Sequence, residues 1–145
     1  MNHNPLCGAL VVNKPSGPTS HDIVARVRAL TRTKVGHTGT LDPLASGVLP
    51  LLLGPATRLT RFFQSSDKEY LAEFQLGQRT DTLDGEGEVL QESPVPEISP
   101  QQAEEVLSKF TGEIRQQPPM FSAVKVGGKK LYQLARQGRE VERPW

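Results

Sequence analysis

One stretch of the chain combines the residue types of a reactive loop with those of a buried segment. Residues 36–54 read GHTGTLDPLASGVLPLLLG. The first half is rich in Gly, Thr and Ser and contains one histidine, His37, and one carboxylate, Asp42. Its glycines permit backbone angles that other residues avoid, so we expect a shaped loop there. Residues 48–53 are apolar apart from Pro50 and are predicted to lie in a core. A loop joined to a core is a plausible support for a reactive Asp42.

The residue types also allow other interpretations of this stretch. Asp-Pro commonly opens a turn, so Asp42 could be a purely structural residue. A glycine-rich loop can bind phosphate, but residues 36–40 lack the Lys-Ser/Thr ending of a P-loop, which makes a phosphate-loop hydrolase a weak alternative. His37 has no partners at the spacing of a metal site. The residues alone leave the catalytic and structural interpretations open.

Residues 36–54 resemble, without a gap, the signature of the TruB family of tRNA pseudouridine synthases. The resemblance implies that Asp42 is the nucleophile and that His37 fills the gap left when the target uridine flips out of the RNA. The implied reaction isomerises uridine 55 in the T loop of tRNA to pseudouridine and needs no cofactor. Attack on the ribose C1′ and attack on the uracil ring both remain open. A non-catalytic RNA-binding module or tRNA chaperone derived from the same family is the alternative.

The residues before this stretch predict a strand and a helix that position it. Residues 8–13 are expected to form a short buried strand that is followed by a turn. Thr19 or Ser20 can cap a helix, with Asp22 in its first turn. An apolar stripe at helical spacing follows: Ile23, Val24, Val27 and Leu30.

The segment VVNKPSGPTSHD also resembles a TruB-family motif. This resemblance implies that Lys14 and Pro15 support the active-site loop. Without it, Lys14 would be interpreted as a solvated turn residue.

Two elements are predicted after residue 54. Residues 56–64 indicate a short helix with three apolar side chains on one side: Leu59, Phe62 and Phe63. Residues 68–76 alternate as a strand and place Tyr70 on its buried face. A buried tyrosine usually only fills a core. The family resemblance instead implies that Tyr70 stacks on the target uracil and that its hydroxyl assists removal of the C5 proton.

An acidic region follows. Residues 77–87 are predicted to be a polar loop with a turn at Asp84, and residues 88–90 a returning strand. The acids of this loop do not match the spacing of an EF-hand. The resemblance implies that Asp84 contacts RNA.

Ser99 begins a capping box for a helix that should end at Gly112. The predicted buried stripe of this helix is Ala103, Val106, Leu107 and Phe110.

The last segment mixes aromatic, glycine and basic residues. A short helix is predicted over residues 131–137, ending at Gly138. Basic residues interleaved with aromatic ones suit an RNA-binding groove, although a flexible basic loop has the same composition. Residues 117–144 resemble the RNA-gripping thumb of the TruB family. The residues that would contact the stem and loop of the tRNA T arm are Lys125, Lys129, Lys130 and Arg136.

Composition places limits on the class of protein. A chain of 145 residues suits one domain. A single cysteine fits a reducing cytoplasm, and neither a membrane-spanning run nor a signal peptide is recognisable. Residues 1–66 hold 7 basic and 2 acidic side chains, residues 67–105 hold 2 and 11, and residues 106–145 hold 8 and 3. The basic blocks suit a polyanion such as RNA, although charge blocks alone favour ordinary solvated surface.

We therefore expect an α+β (mixed α/β) fold with a mostly antiparallel sheet flanked by helices and loops. The resemblance covers residues 8–144 and about half of a full family member. It implies that residues 1–145 are the N-terminal part of the catalytic domain, without the rest of that domain or the C-terminal RNA-binding domain. The family arginine that pairs with the aspartate would lie in the missing part, so this chain alone is expected to be inactive. The tRNA T arm is the expected partner, with no membrane and no obligatory protein partner.

Overall fold

The computed structural model describes residues 6–63 and 65–143. The chain divides into two units, Met1–Leu71 and Ala72–Trp145. Helices and strands are mixed along the chain, and every strand pair within the described residues is antiparallel. These features confirm the predicted mixed fold with small antiparallel sheets.

The first unit contains a three-stranded sheet. Its strands are β1 (Gly8–Lys14), β2 (Val35–His37) and β3 (Gly47–Leu53), with β3 in the centre. The apolar run predicted to enter a core is therefore the central strand. The strand predicted at residues 8–13 is confirmed, but its predicted burial is wrong. Val11 is 66% exposed, whereas its neighbour Val12 packs against the core, so only one face of β1 is covered.

Helix α1 (Ser20–Thr31) packs on this sheet. Thr19 caps it, and its hydroxyl and N–H donate to the Asp22 carboxylate at 2.7 and 2.8 Å. These hydrogen bonds, the hydroxyl bond foremost, lower the pKa of Asp22 below its ordinary value. Ile23 and Val24 of the predicted stripe are buried, and Val27 packs against them. Leu30 is 85% exposed, contrary to the prediction, because it lies in the last helical turn, beyond the short β2 strand.

The helix predicted at residues 56–64 is instead two short pieces. A 3₁₀ helix, Gly54–Leu59, leads into α2 (Thr60–Phe63), and Gln64 lies outside the described residues. The hydroxyls of Thr57 and Thr60 each donate to the carbonyl three residues earlier, at 2.8 Å. Such bonds favour the tighter turn over a continuous α-helix. The predicted apolar side is exposed: Leu59, Phe62 and Phe63.

The strand predicted at residues 68–76 is wrong. Residues 67–75 are irregular, and none of them joins a strand pair within the described chain. Phe74, which should have faced a core, is 76% exposed. An alternating pattern makes a strand only where a neighbouring strand accepts its hydrogen bonds, and none is paired to this segment in the described residues.

The second unit contains two hairpins and two helices. The first hairpin joins β4 (Gln78–Thr80) to β5 (Val89–Glu92), so the returning strand is confirmed and the predicted loop begins with a strand. The Ser99 capping box of α3 (Pro100–Ser108) is also confirmed. Its predicted buried stripe is wrong, since Val106, Leu107 and Phe110 are 54%, 59% and 66% exposed. The helix ends at Ser108 rather than at Gly112.

The second hairpin joins β6 (Lys125–Val126) to β7 (Lys129–Lys130), and α4 (Leu131–Ala135) follows directly. Gly127 and Gly128 form the turn with φ of 57° and 81°, which glycine adopts without strain. The helix predicted at residues 131–137 is confirmed in a shorter form, as α4.

No helix among residues 6–63 and 65–143 is long and apolar enough to cross a membrane.

Candidate active site

The loop that carries Asp42 begins where pairing between β2 and β3 stops. His37 lies opposite Leu51, and the Thr38 N–H then donates to the Pro50 carbonyl at 3.1 Å. The reciprocal bond cannot form because proline has no N–H. Pro50 thereby ends the ladder one residue after His37, and the chain leaves the sheet as a loop.

The residue immediately before Asp42 is held by helix α1. The Ser20 hydroxyl donates to the Leu41 carbonyl and accepts from the Leu41 N–H, both at 2.9 Å. Ser20 is almost fully buried, so water does not compete freely for these bonds. One serine side chain therefore satisfies both backbone groups of Leu41 and joins the start of α1 to the loop.

The residue immediately after Asp42 is held by the segment that follows β1. The Lys14 ammonium donates to the Pro43 carbonyl at 3.2 Å and to the Pro15 carbonyl at 2.9 Å. The Gly17 N–H also donates to the Pro43 carbonyl, at 2.8 Å. Lys14 is completely buried, which excludes the interpretation of it as a solvated turn residue. The Lys-Pro-Ser-Gly turn thus packs its lysine under the loop.

Asp42 lies between these two anchors and is itself exposed. Its own carbonyl accepts the Ala45 N–H at 3.1 Å, which closes a turn after it. Both neighbouring residues are fixed from the first unit, while the carboxylate is accessible to a substrate. This is the arrangement expected of a pre-organised reactive group.

His37 borders a cleft of about 290 Å³ in the same unit. The basic side chains on its lining are His21 and Arg28 of α1 and Lys34, which precedes β2. The His37 Nδ1 atom is buried and has no hydrogen-bond partner among the described residues. Sequence reasoning selected His37 but missed the other three. Their only signal was the density of basic residues before residue 36.

Tyr70 does not occupy the predicted position. The irregular segment around it leaves its side chain 67% exposed, so it is not on the buried face of a strand. The structure therefore brings His37 and Lys14 to the Asp42 loop but gives Tyr70 no fixed support. The implied role of Tyr70 in stacking on the target base stays a prediction.

Asp84 is engaged in the turn between β4 and β5. Its carboxylate accepts the Thr82 hydroxyl at 2.6 Å and the Glu86 N–H at 3.0 Å. Its carbonyl accepts the Thr80 hydroxyl at 2.8 Å. These bonds explain an aspartate at this position through the turn alone. A contact between Asp84 and RNA stays a prediction.

The basic side chains of the thumb-like segment cluster on the second hairpin and α4. Lys125 lies directly across from Lys130 in the β6–β7 register. Like charges in opposed positions repel, which an anion bound over the hairpin would relieve. The hairpin is joined to α4 by two backbone bonds, from Leu131 to Val124 and from Tyr132 to Ser122, at 2.8 and 3.0 Å.

The Tyr132 ring organises two of these cations. The Lys130 ammonium and the Arg136 guanidinium each lie 5.5 Å from its centroid, within range of a cation–π interaction. Farther along, the Gln117 amide donates to the Arg143 carbonyl, and the Arg143 guanidinium donates to the Pro118 carbonyl, both at 3.1 Å. These bonds join the two ends of the segment, and its role as an RNA-gripping thumb stays a prediction.

Within the described residues, no three His, Cys, Asp or Glu side chains form a group that could hold a metal ion. The candidate site consists of an exposed carboxylate on an anchored loop, a neighbouring histidine and a basic cleft. Together with the mixed fold of small antiparallel sheets, it is consistent with the class of pseudouridine synthases.

Comparison with known proteins identifies the family. The sequence profile of the TruB family pseudouridylate synthase (N terminal domain) matches residues 27–145, and the chain belongs to this family. It is 53% identical over 142 residues to tRNA pseudouridine synthase B of Heliobacterium mobile, covering 97% of this chain and 46% of that protein. It is 54% identical over 139 residues to the protein of the same name from Geobacillus kaustophilus, covering 94% and 49%. The chain thus spans about half the length of these relatives.

A solved structure shows the same fold. A chain in the crystal structure of a Cbf5-Nop10-Gar1 complex is 32% identical and superposes with a TM-score of 0.51. The match covers 79% of this chain and 30% of that chain. The fold expected from the sequence is therefore supported by an experimental relative.

We expect Lys14→Met to slow the chemical step while leaving the fold intact. Methionine fills a similar volume but donates no hydrogen bond to Pro43, whose carbonyl keeps the bond from Gly17. Loss of a buried charge offsets the loss of its two bonds, so the free energy of unfolding should change by about 1 kcal/mol or less. In the gene product with any coding sequence that continues past Trp145, poorer positioning of the loop should lower the single-turnover rate of pseudouridine formation about 10- to 100-fold.

The control is Lys109→Met, at an exposed position in the second unit. It should change neither the free energy of unfolding nor the single-turnover rate. RNA affinity should be the same in both variants. An unchanged rate for Lys14→Met would show that Lys14 supports only the fold.

Proposed function

We propose that this chain forms part of an enzyme that converts uridine 55 in the T loop of tRNA to pseudouridine. The observation that carries the proposal is the exposed Asp42 on its doubly anchored loop. The family membership supports it, as do the relatives named tRNA pseudouridine synthase B. The chain would contribute the N-terminal part of the catalytic domain, with residues 117–144 as a thumb that grips RNA.

The reaction breaks the bond between uracil N1 and ribose C1′, rotates the base and joins C5 to C1′. C5 loses a proton and N1 gains one, so substrate and product are isomers and no external redox partner is consumed. A carboxylate can add to the substrate and leave again, as in covalent glycoside hydrolysis. Asp42 is the nucleophile in this scheme, acting either at C1′ or at the uracil ring.

The target base must leave the stacked loop before Asp42 can reach it. His37 would enter the vacated space with its flat ring. His37 is the last residue of β2, and Asp42 follows five residues later in the loop that leaves this strand. Tyr70 would stack on the flipped uracil, and its hydroxyl would assist removal of the C5 proton. Its side chain is 67% exposed and therefore accessible to a base.

The partner is the T arm of tRNA, held by basic side chains of the thumb-like segment. The opposed lysines of β6 and β7 and the two cations on Tyr132 support this assignment, because they concentrate positive charge on one small element. The reaction needs neither a cofactor nor an obligatory protein partner. The cytoplasm, where tRNA is processed, is the proposed location.

Release of tritium from tRNA labelled at uridine C5 tests the proposal directly, because the C5 proton is lost only when the base is rejoined through C5. The assay should use the gene product with any coding sequence that continues past Trp145. Release from the T-loop uridine supports the enzyme. Binding of tRNA without release favours the alternative, a non-catalytic RNA-binding module or tRNA chaperone.

We expect binding of a T-arm hairpin RNA to weaken as salt rises, because bound Lys and Arg displace counterions. Lys129→Ala combined with Lys130→Ala should reduce the slope of log Kd against log salt by about 1 for each lost phosphate contact. The control removes two other exposed charges of the same unit, Lys109 and Arg115, in the same way. Equal slopes for the two double variants would remove the hairpin lysines from the RNA interface.

A further inference from the structure

The cleft beside His37 concentrates positive charge that the proposed chemistry does not use. His21 and Arg28 reach it from α1, and Lys34 reaches it from the link between α1 and β2. The remaining lining is apolar or hydroxylic, and no carboxylate borders the cleft within the described residues. The charges of Arg28 and Lys34, with the His21 imidazole beside them, raise the local concentration of an anion in this concave site.

The fold fixes the Arg28 side chain and the backbone of Lys34 beside the cleft. The Arg28 guanidinium donates to the Val35 carbonyl at 3.4 Å, which uses one of its five N–H donors. The Lys34 carbonyl accepts the Gly54 N–H at 2.7 Å, which fixes the backbone of Lys34 beside the 3₁₀ helix. That helix and α2 supply Thr57 and Thr60 to the lining. The Arg28 side chain and the Lys34 backbone are thus positioned by these contacts, and the Lys34 side chain is exposed to solvent.

The acid that could neutralise this cluster is already engaged. Asp22, the only carboxylate on α1, accepts hydrogen bonds from the Thr19 N–H and hydroxyl as the helix cap. Asp22 also interacts electrostatically with His21, so the two donors without a carboxylate among the described lining residues are Arg28 and Lys34. A guanidinium fork next to an ammonium is the donor set that proteins use for phosphate.

We propose that His21, Arg28 and Lys34 bind one phosphate of the RNA backbone beside His37. The inference rests on the proposed function, because it takes RNA as the ligand. A phosphate held there would fix the backbone next to the point at which His37 enters the stacked loop. The site lies in the first unit, whereas the basic hairpin of the thumb-like segment belongs to the second.

The test compares two double variants of α1 and its C-terminal end. Arg28→Gln with Lys34→Gln removes two charges from the cleft, and Arg26→Gln with Arg32→Gln removes two exposed charges that do not border it. Binding of the T-arm hairpin is measured over a range of salt. The cleft variant should reduce the slope of log Kd against log salt by about 1, and the control should leave it unchanged.

A second measurement locates the phosphate. Hairpins that carry one neutral methylphosphonate are compared at each position around the target uridine. At one position, the methylphosphonate should reduce the slope of log Kd against log salt by about 1 for the wild-type protein. The same methylphosphonate should not reduce the slope of the cleft variant any further, because that variant has already lost the contact. Lys34→Gln alone is included because it keeps the bond from Arg28 to Val35. It should show a smaller loss of affinity at the same position and unchanged thermal unfolding.

Equal slopes for the cleft and control variants would overturn the proposal. The proposal would also be overturned if the effects of the cleft substitutions and of the methylphosphonate added fully at every position. Failure of the proposed function is a different result, since wild type would then bind the hairpin without dependence on salt or release no tritium from uridine C5.

Discussion

Asp42→Asn should abolish pseudouridine formation while the protein remains folded and binds RNA normally. Asparagine keeps the size of the side chain and its tendency to form turns but removes the charge and the nucleophilicity. The Asp42 carbonyl still accepts the Ala45 N–H, and both loop anchors act on neighbouring residues. We therefore expect a change in unfolding free energy within about 0.5 kcal/mol and a loss of about 10⁴-fold or more in the chemical step.

Single-turnover conversion of tRNA with enzyme in excess measures that step without the influence of product release. The experiment needs the gene product with any coding sequence beyond Trp145. Asp67→Asn changes another exposed carboxylate of the first unit and should keep the wild-type rate. Substantial conversion by a folded Asp42→Asn protein would return Asp42 to the role of a turn residue.

Leu51→Ala should cause the largest loss of stability in the first unit. Leu51 is fully buried in the central strand, where it lies opposite both Leu10 and His37. Removing its side chain leaves a cavity in the core formed with α1, which costs about 2–5 kcal/mol. Because β3 also supports the start of the Asp42 loop, activity should fall at temperatures at which wild type is still stable.

Urea unfolding of the wild-type protein and the Leu51→Ala variant measures the loss of stability. Val48→Ala is the matched control, since Val48 lies in the same strand but is 69% exposed. It should change the free energy of unfolding by about 0.5 kcal/mol or less. A loss below about 1 kcal/mol for Leu51→Ala would mean that this strand does not form the core.

Several local features were predictable from the sequence alone. The Thr19–Asp22 and Ser99–Gln102 capping boxes depend on residues three positions apart, so the pattern and the structure agree. The apolar run after residue 47 forms the central strand, and Leu49, Leu51 and Leu52 of this run are buried as predicted. The loop of His37 and Asp42 was recognisable because its family signature is continuous in sequence.

Predictions that needed a partner elsewhere in the chain were less successful. The apolar side of α3 is amphipathic in sequence, but none of the described residues covers Val106, Leu107 and Phe110 well enough to bury them. The alternating segment around Tyr70 forms no strand for the same reason. Periodicity predicts which residues could share a face but does not supply the surface against which they pack.

The support of Asp42 was decided only by the tertiary structure. Lys14 reaches Pro43 across 29 residues, and Ser20 reaches Leu41 across 21. No local pattern distinguishes this lysine from a solvated one or this serine from a helix cap. The basic cleft likewise combines side chains of α1 with Lys34 and His37 around short elements that follow β3. The sequence by itself determined which carboxylate and histidine share a loop. The packing of α1 and the Lys14 turn against that loop decided how rigidly they are held, because those contacts exist only after the distant segments meet.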